Sequence, residues 1–145
     1  MDILLFIIEG NYMKENNYID LICNLIDSQN IAVVTTVGRK KMPHSTALTK
    51  IKNNDFKTIY FTTGFDTEKV QNIIKRKIGS VYFYNALEYV GVSLEGHFSI
   101  TTSEEINVSE DIFPPGIRNT SKVVLKFDTE EAKLYSGMEK VNIKV

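Results

Sequence analysis

Residues Ile59–Ile78, IYFTTGFDTEKVQNIIKRKI, read as a strand, a tight turn and a helix. Ile59, Tyr60 and Phe61 are strand formers, Gly64 breaks the run, and Asp66 or Thr67 is placed to cap the helix. Val70, Ile73 and Ile74 then fall at i, i+3 and i+4, the apolar stripe of a helix. A helix N-terminus presents unpaired N–H groups and the positive end of the backbone dipole, so it attracts anions. Thr62, Thr63 and Thr67 bring hydroxyls to this turn and Lys69 brings an ammonium. That donor set suits a phosphate monoester, which carries about −1.5 to −2 charge at neutral pH. The same residues are also ordinary helix-start chemistry, and Glu68 suits a first turn with no ligand present.

Outward from this stretch, Tyr18, Leu21, Ile22, Leu25 and Ile26 keep helical spacing and predict an amphipathic helix over 14–28. Ile31–Val37 reads as a buried strand, Gly38–Lys41 as its polar turn, and Pro43–Ile51 as a second strand opened by proline. Period-two alternation puts Ser45, Ala47, Thr49 and Ile51 on one face and His44, Thr46, Leu48 and Lys50 on the other. Asn53–Asp55 turns the chain into a third strand, Lys57–Thr63. Gly79–Tyr84 is a fourth, and Val90, Val92, Leu94, Gly96, Phe98 and Ile100 alternate along a fifth. Gly91 and Gly96 within it predict a bulge or the close approach of another backbone or a ligand. Ser103–Phe113 reads as a short acidic helix, Phe113–Gly116 as a rigid loop, and Glu130–Tyr135 as a helical turn between strands at Val123–Phe127 and Val141–Val145. About seven strands with small helices at the crossings point to a mainly β (α+β) fold, a β-barrel with helical additions. Residues 1–13 form an N-terminal extension, with Met13 resembling a second start, and 14–145 form the barrel domain.

A net charge of −1 argues against nucleic-acid binding through overall positive charge. The basic run Lys75–Lys77 closes the central helix, where cations suit the dipole. One cysteine, Cys23, excludes an intramolecular disulfide and a cysteine-rich metal site. The opening MDILLFII lacks a basic leader and no apolar run is long enough to span a bilayer, so the expected setting is cytoplasmic, with no membrane partner. No serine occupies a nucleophile elbow, and His44 and His97 have no neighbour at metal spacing. With no protein-borne catalytic set legible, any chemistry is expected from a bound cofactor.

The order AVVTTV, PHSTALTKI, IYFTTGFDTEKVQNI, SVYFYN and YVGVSLEGHF resembles the pyridoxamine 5′-phosphate oxidase-like split-barrel family, and within it the general stress protein subgroup. The tail IFPPGIRNTSKVVLKFDTEEAKLY is similar to the same subgroup. The resemblance implies a six- to seven-stranded antiparallel split β-barrel with flanking short helices, and a homodimer holding flavin mononucleotide (FMN) in clefts between subunits. It implies that Thr46, Ala47 and Leu48 line the ribityl and ring site, with Thr62 and Thr63 flanking the flavin. Thr67 and Lys69 would hold the phosphate, and Tyr89–Gly91, including Tyr89 and Gly91 themselves, would approach from another strand, in the same or the partner chain. The oxidase proper has arginine where Thr46 stands and commonly a basic residue where Glu68 stands. A lost charge-assisted hydrogen bond weakens binding roughly 10- to 100-fold, so the expected FMN affinity is lower than in the oxidase. The oxidase's arginine-bearing C-terminal signature is also absent, which argues against pyridoxamine phosphate as substrate.

The resemblance therefore implies an FMN-dependent oxidoreductase acting on a small molecule, with its catalytic residues unassigned and no metal. A non-catalytic flavin-binding stress-response protein is the alternative. A third reading is the same barrel carrying a deazaflavin or haem, with His44 or His97 as the axial candidate.

Overall fold

The computed structural model describes residues 15–109, 111 and 122–145. The segment 1–13 and the loop 113–116 lie outside the described residues. In chain order the elements are α1 (Glu15–Ser28), β1 (Ile31–Val37), β2 (Pro43–Asn54), β3 (Thr58–Gly64), α2 (Glu68–Lys75), β4 (Ile78–Asn85), β5 (Val90–Thr101), β6 (Lys122–Ser136) and β7 (Glu139–Lys144). A single helical turn, Arg39–Lys41, joins β1 to β2.

The strands pair antiparallel in the order β3-β2-β1-β4-β5-β6-β7, and a β3–β6 pairing closes the first six into a barrel. β6 makes this possible by being long. β5 runs beside it throughout, while its other edge pairs first with β3 (Lys122–Asp128) and then with β7 (Glu131–Ser136). Closure pairs both edges of the first six strands, and β7 remains as a short edge strand beside the second half of β6.

Glu130–Tyr135 is strand, contrary to the helical turn predicted from sequence. The register explains the misreading. Gly96 pairs with Thr129 but Glu95 pairs with Glu131, so Glu130 is skipped. Leu125, Phe127 and Thr129 are buried before the bulge and Ala132 and Leu134 after it, a phase slip of one residue that hides the period of two. Over Ser103–Ser109 the predicted acidic helix is replaced by turns. Residues 102–109 form turns closed by Ile106 N–H to Thr102 O (3.3 Å) and Val108 N–H to Ser103 O (3.0 Å).

Ile59, Phe61, Phe98 and Phe127 pack in the interior, each worth about 1.5–3 kcal/mol in buried apolar surface. The Phe98 and Phe127 rings lie 4.8 Å apart at 55°, the tilted geometry aromatic pairs favour. α1 lays Tyr18, Ile22, Leu25 and Ile26 onto β4 and β5. Its last turn has no basic residue, so Lys50 of β2 serves its C-terminus, donating from Nζ to Ile26 O at 2.7 Å. α2 buries Val70 and Ile73 toward β1 and β5. Ile100, which alternation groups with the buried Val90, Val92, Leu94 and Phe98, is exposed. No helix among the described residues is long and apolar enough to cross a membrane.

Candidate functional site

The loop between β3 and α2 is pinched from within. Thr67 occupies the N-cap of α2 with extended backbone, but its hydroxyl does not cap the helix. Instead Oγ1 donates to Gly64 O at 2.9 Å, and the Thr67 N–H reaches the same carbonyl at 3.4 Å. The first amides of α2 are thereby left with no side-chain cap.

Lys69 leaves this first turn toward Thr63, its Nζ donating to Thr63 Oγ1 at 3.3 Å. Burial pushes the Lys69 ammonium below its ordinary pKa of 10.5. Among the described residues it is ion-paired with no carboxylate. A partly desolvated cation without a counter-charge is stabilised by an arriving anion.

Thr62 and Thr63 diverge, because successive strand side chains point to opposite faces. Thr63 shares the interior face with Ile59 and Phe61. Thr62 shares the other face with Tyr60, where Val124 and Ile106 pack, and it pairs with Val124 in register. Thr62 is 2% exposed, and its Oγ1 is buried without a hydrogen-bond partner among the described residues, a state costing about 1–3 kcal/mol.

The other residues predicted from sequence are spread along β1. Thr46, Ala47 and Leu48 sit opposite Val34, Val33 and Ala32. Leu48 is in the core, Thr46 is half-buried, and Ala47 faces outward into a cleft of about 440 Å³ with Ile31, Tyr84 and Leu87. Tyr89 is 79% exposed in the β4–β5 hairpin with a left-handed backbone (φ 53°). Gly91 is buried, and what closes on it is the Tyr82 side-chain hydroxyl rather than the backbone or ligand expected there. Register places this hairpin at the Ile31 end of β1, whereas His44 pairs near the other end, with Thr36. One chain therefore brings Thr63, Thr67 and Lys69 together and holds Tyr89 and Gly91 apart from them.

Two contacts were not legible in the sequence. His44 Nδ1 meets Glu68 Oε2 at 2.8 Å, and His97 Nδ1 meets Glu130. Each pair joins residues far apart in the chain, so no local spacing announces them. No group of three or more histidine, cysteine or acidic residues that could hold a metal occurs among the described residues.

The fit to a flavin phosphate is chemical. The loop offers a partly desolvated ammonium, with no carboxylate partner among the described residues, beside first-turn amides that the Thr67 side chain does not cap.

An antiparallel barrel of six strands closed by the β3–β6 pairing, with a seventh strand beside β6 and two short helices, is the architecture of the split-barrel class. Comparison with known families places the chain within it. The model for pyridoxamine 5′-phosphate oxidase matches residues 20–136, and the chain belongs to that family. Among solved structures it is similar to a protein related to general stress protein 26 of B. subtilis from Clostridium acetobutylicum, at 22% identity over 91% of this chain and 97% of that one, TM-score 0.80. It is similar to a heme binding protein from Mycobacterium smegmatis, at 11% identity over 87% of this chain and 57% of that one, TM-score 0.72. It is also similar to a pyridoxamine 5′-phosphate oxidase-related, FMN binding protein from Nostoc punctiforme, at 9% identity over 93% and 98%, TM-score 0.63. No curated protein sequence matches the chain.

Proposed function

We propose that the protein binds FMN, with Lys69 and the amides after Thr67 at the phosphate, and works as an FMN-dependent oxidoreductase on a small molecule. When bound, the flavin supplies hydride or electron exchange at its ring. The chain's part is to bind and orient it. The observation that carries the reading is Lys69, a half-buried cation at the start of α2 with no carboxylate partner among the described residues. Family membership and the FMN-binding neighbour support the same ligand.

The reading includes a homodimer with the flavin between subunits. In one chain the hairpin carrying Tyr89 is remote from Lys69, so a second copy is needed to bring such a hairpin to the loop. The exposed Ile31, Tyr84 and Leu87 beside that hairpin give the contact apolar surface.

Fluorescence titration of FMN into the purified protein tests the proposal, with saturable quenching and a yellow complex expected. Lys69→Ala combined with Thr67→Ala should weaken retention about tenfold or more. Unchanged retention in that variant would remove the phosphate assignment. Turnover of NADH or NADPH with the loaded protein separates the oxidoreductase from a non-catalytic flavin carrier.

Haem is a second reading, favoured by one contact. Glu68 holds His44 by Nδ1, the orientation that leaves Nε2 for a metal, and one neighbour of the same fold binds haem. A Soret band lost in His44→Ala but kept in His97→Ala would select it over FMN.

A further inference from the structure

A concavity lies beside α2, lined on the helix by Glu68, Gln71, Asn72 and Lys75, and neither Thr63 nor Lys69 lines it. It encloses about 810 Å³, within the range of small-molecule sites. Arg39 and Lys40 reach it from the β1–β2 turn, Lys75 and Arg76 from the end of α2, and His44 and Glu68 from the opposite rim. Four cations from two elements thus meet one carboxylate, in a chain whose net charge is −1. Among the described residues none of the four is ion-paired.

Part of this arrangement has a structural explanation. Lys75 suits a helix C-terminus, and Arg76 donates from Nη1 to Gly38 O at 3.4 Å, fastening the turn to the helix. Arg39 and Lys40 have no such explanation. The turn is closed by Gly38 N–H to Met42 O (2.7 Å) and Met42 N–H to Arg39 O (3.0 Å). Closing it puts Lys40 and Lys41 at φ 56° and 62°, left-handed backbone that glycine or asparagine adopts with less strain. Placing lysine at such positions holds cationic side chains on a short, tied turn over the cleft, and strain of this kind gathers at ligand sites. The floor is also fixed, since the buried Asn72 donates to Thr36 Oγ1 at 3.1 Å.

We propose that this cleft binds a small organic polyphosphate through Arg39, Lys40, Lys75 and Arg76. A diphosphate carries enough charge to engage cations on both walls, which a single carboxylate does not. Concavity favours a small molecule over a nucleic-acid backbone, which would want an extended basic face. Glu68 opposes the ligand and limits its affinity. The proposal does not depend on the flavin reading.

Calorimetric titration of inorganic pyrophosphate, and of ADP, into the full chain tests it. Saturable binding that weakens at high salt is expected. Arg39→Gln with Lys40→Gly should weaken it roughly tenfold or more, and Glu68→Gln should tighten it. Lys40→Gly relieves the left-handed strain, so an unchanged or higher melting temperature excludes misfolding as the cause. FMN affinity should be the same in the wild type and the Arg39/Lys40 variant. Absence of saturable binding, or binding indifferent to Arg39 and Lys40, overturns the proposal. Mutual displacement of pyrophosphate and FMN, with FMN affinity falling in the Arg39/Lys40 variant, also overturns it by making the cleft part of the flavin site.

Discussion

Asn72 Nδ2 donates to Thr36 Oγ1 across 3.1 Å, joining α2 to β1 where Thr36 is wholly buried. The bond fastens to β1 the helix that carries Lys69 in its first turn and lines the basic cleft with Glu68, Gln71 and Lys75. Removing one partner strands the other in a dry site. Thr36→Val is therefore expected to lower stability by about 1–3 kcal/mol, read from a urea unfolding midpoint. Thr36→Val with Asn72→Leu should cost less than the sum of the single changes. Strict additivity in that double-mutant cycle would show that the two side chains do not interact.

Lys69 predicts a pH dependence. Its pKa is lowered in the folded state by burial, so between that value and the ordinary 10.5 the unfolded chain binds more protons. Stability contributed at this site therefore rises with pH across that window, and the penalty for burying the charged form is present in full at neutral pH. Urea midpoints for wild type and Lys69→Met, compared from pH 7 to 10, should show the wild type gaining on the variant as pH rises. A constant difference would mean that the ammonium is not desolvated.

Gly96 and Gly91 should respond differently to a methyl group. A Cβ at Gly96 would collide with the backbone carbonyl of Asp128 opposite the bulge, whereas one at Gly91 would meet the Tyr82 hydroxyl. Backbone cannot yield as a side-chain tip can, so Gly96→Ala should cost more than the roughly 1–3 kcal/mol typical of overpacking. Tyr82→Phe removes the atom nearest the new methyl and should recover part of the loss in Gly91→Ala, but none in Gly96→Ala. Thermal melts of the four variants test the contrast.

Cys23 should be a sluggish nucleophile. Burial first, then Asp55, Asp27 and Asp20, push its thiol above the ordinary 9.0. Alkylation by iodoacetamide at pH 8 is expected to be slower than for a free thiol, and Asp55→Asn should quicken it by removing one opposing charge. A rate in Asp55→Asn no faster than wild type would contradict the electrostatic part of that account.

Local pattern alone carried the barrel, because alternation, glycine breaks and helical stripes are properties of short stretches. β1, β2, β5 and both helices were legible on that basis, as was the strand–turn–helix around Lys69. The misread second half of β6 shows the limit: a bulge at Glu130 shifts the phase by one residue, and only the partner strand reveals it. The same holds for the site. Lys69 and Thr67 announce themselves by sitting at a helix start. Their neighbours do not, since Glu68 meets His44 and Arg76 meets Gly38 through barrel closure rather than sequence proximity. The turn at Arg39–Lys41 and the helix end at Lys75–Arg76 read as two ordinary basic punctuations of the chain. Folding α2 across the end of β1 makes them the walls of one cleft, a consequence of long-range pairing that no local spacing encodes.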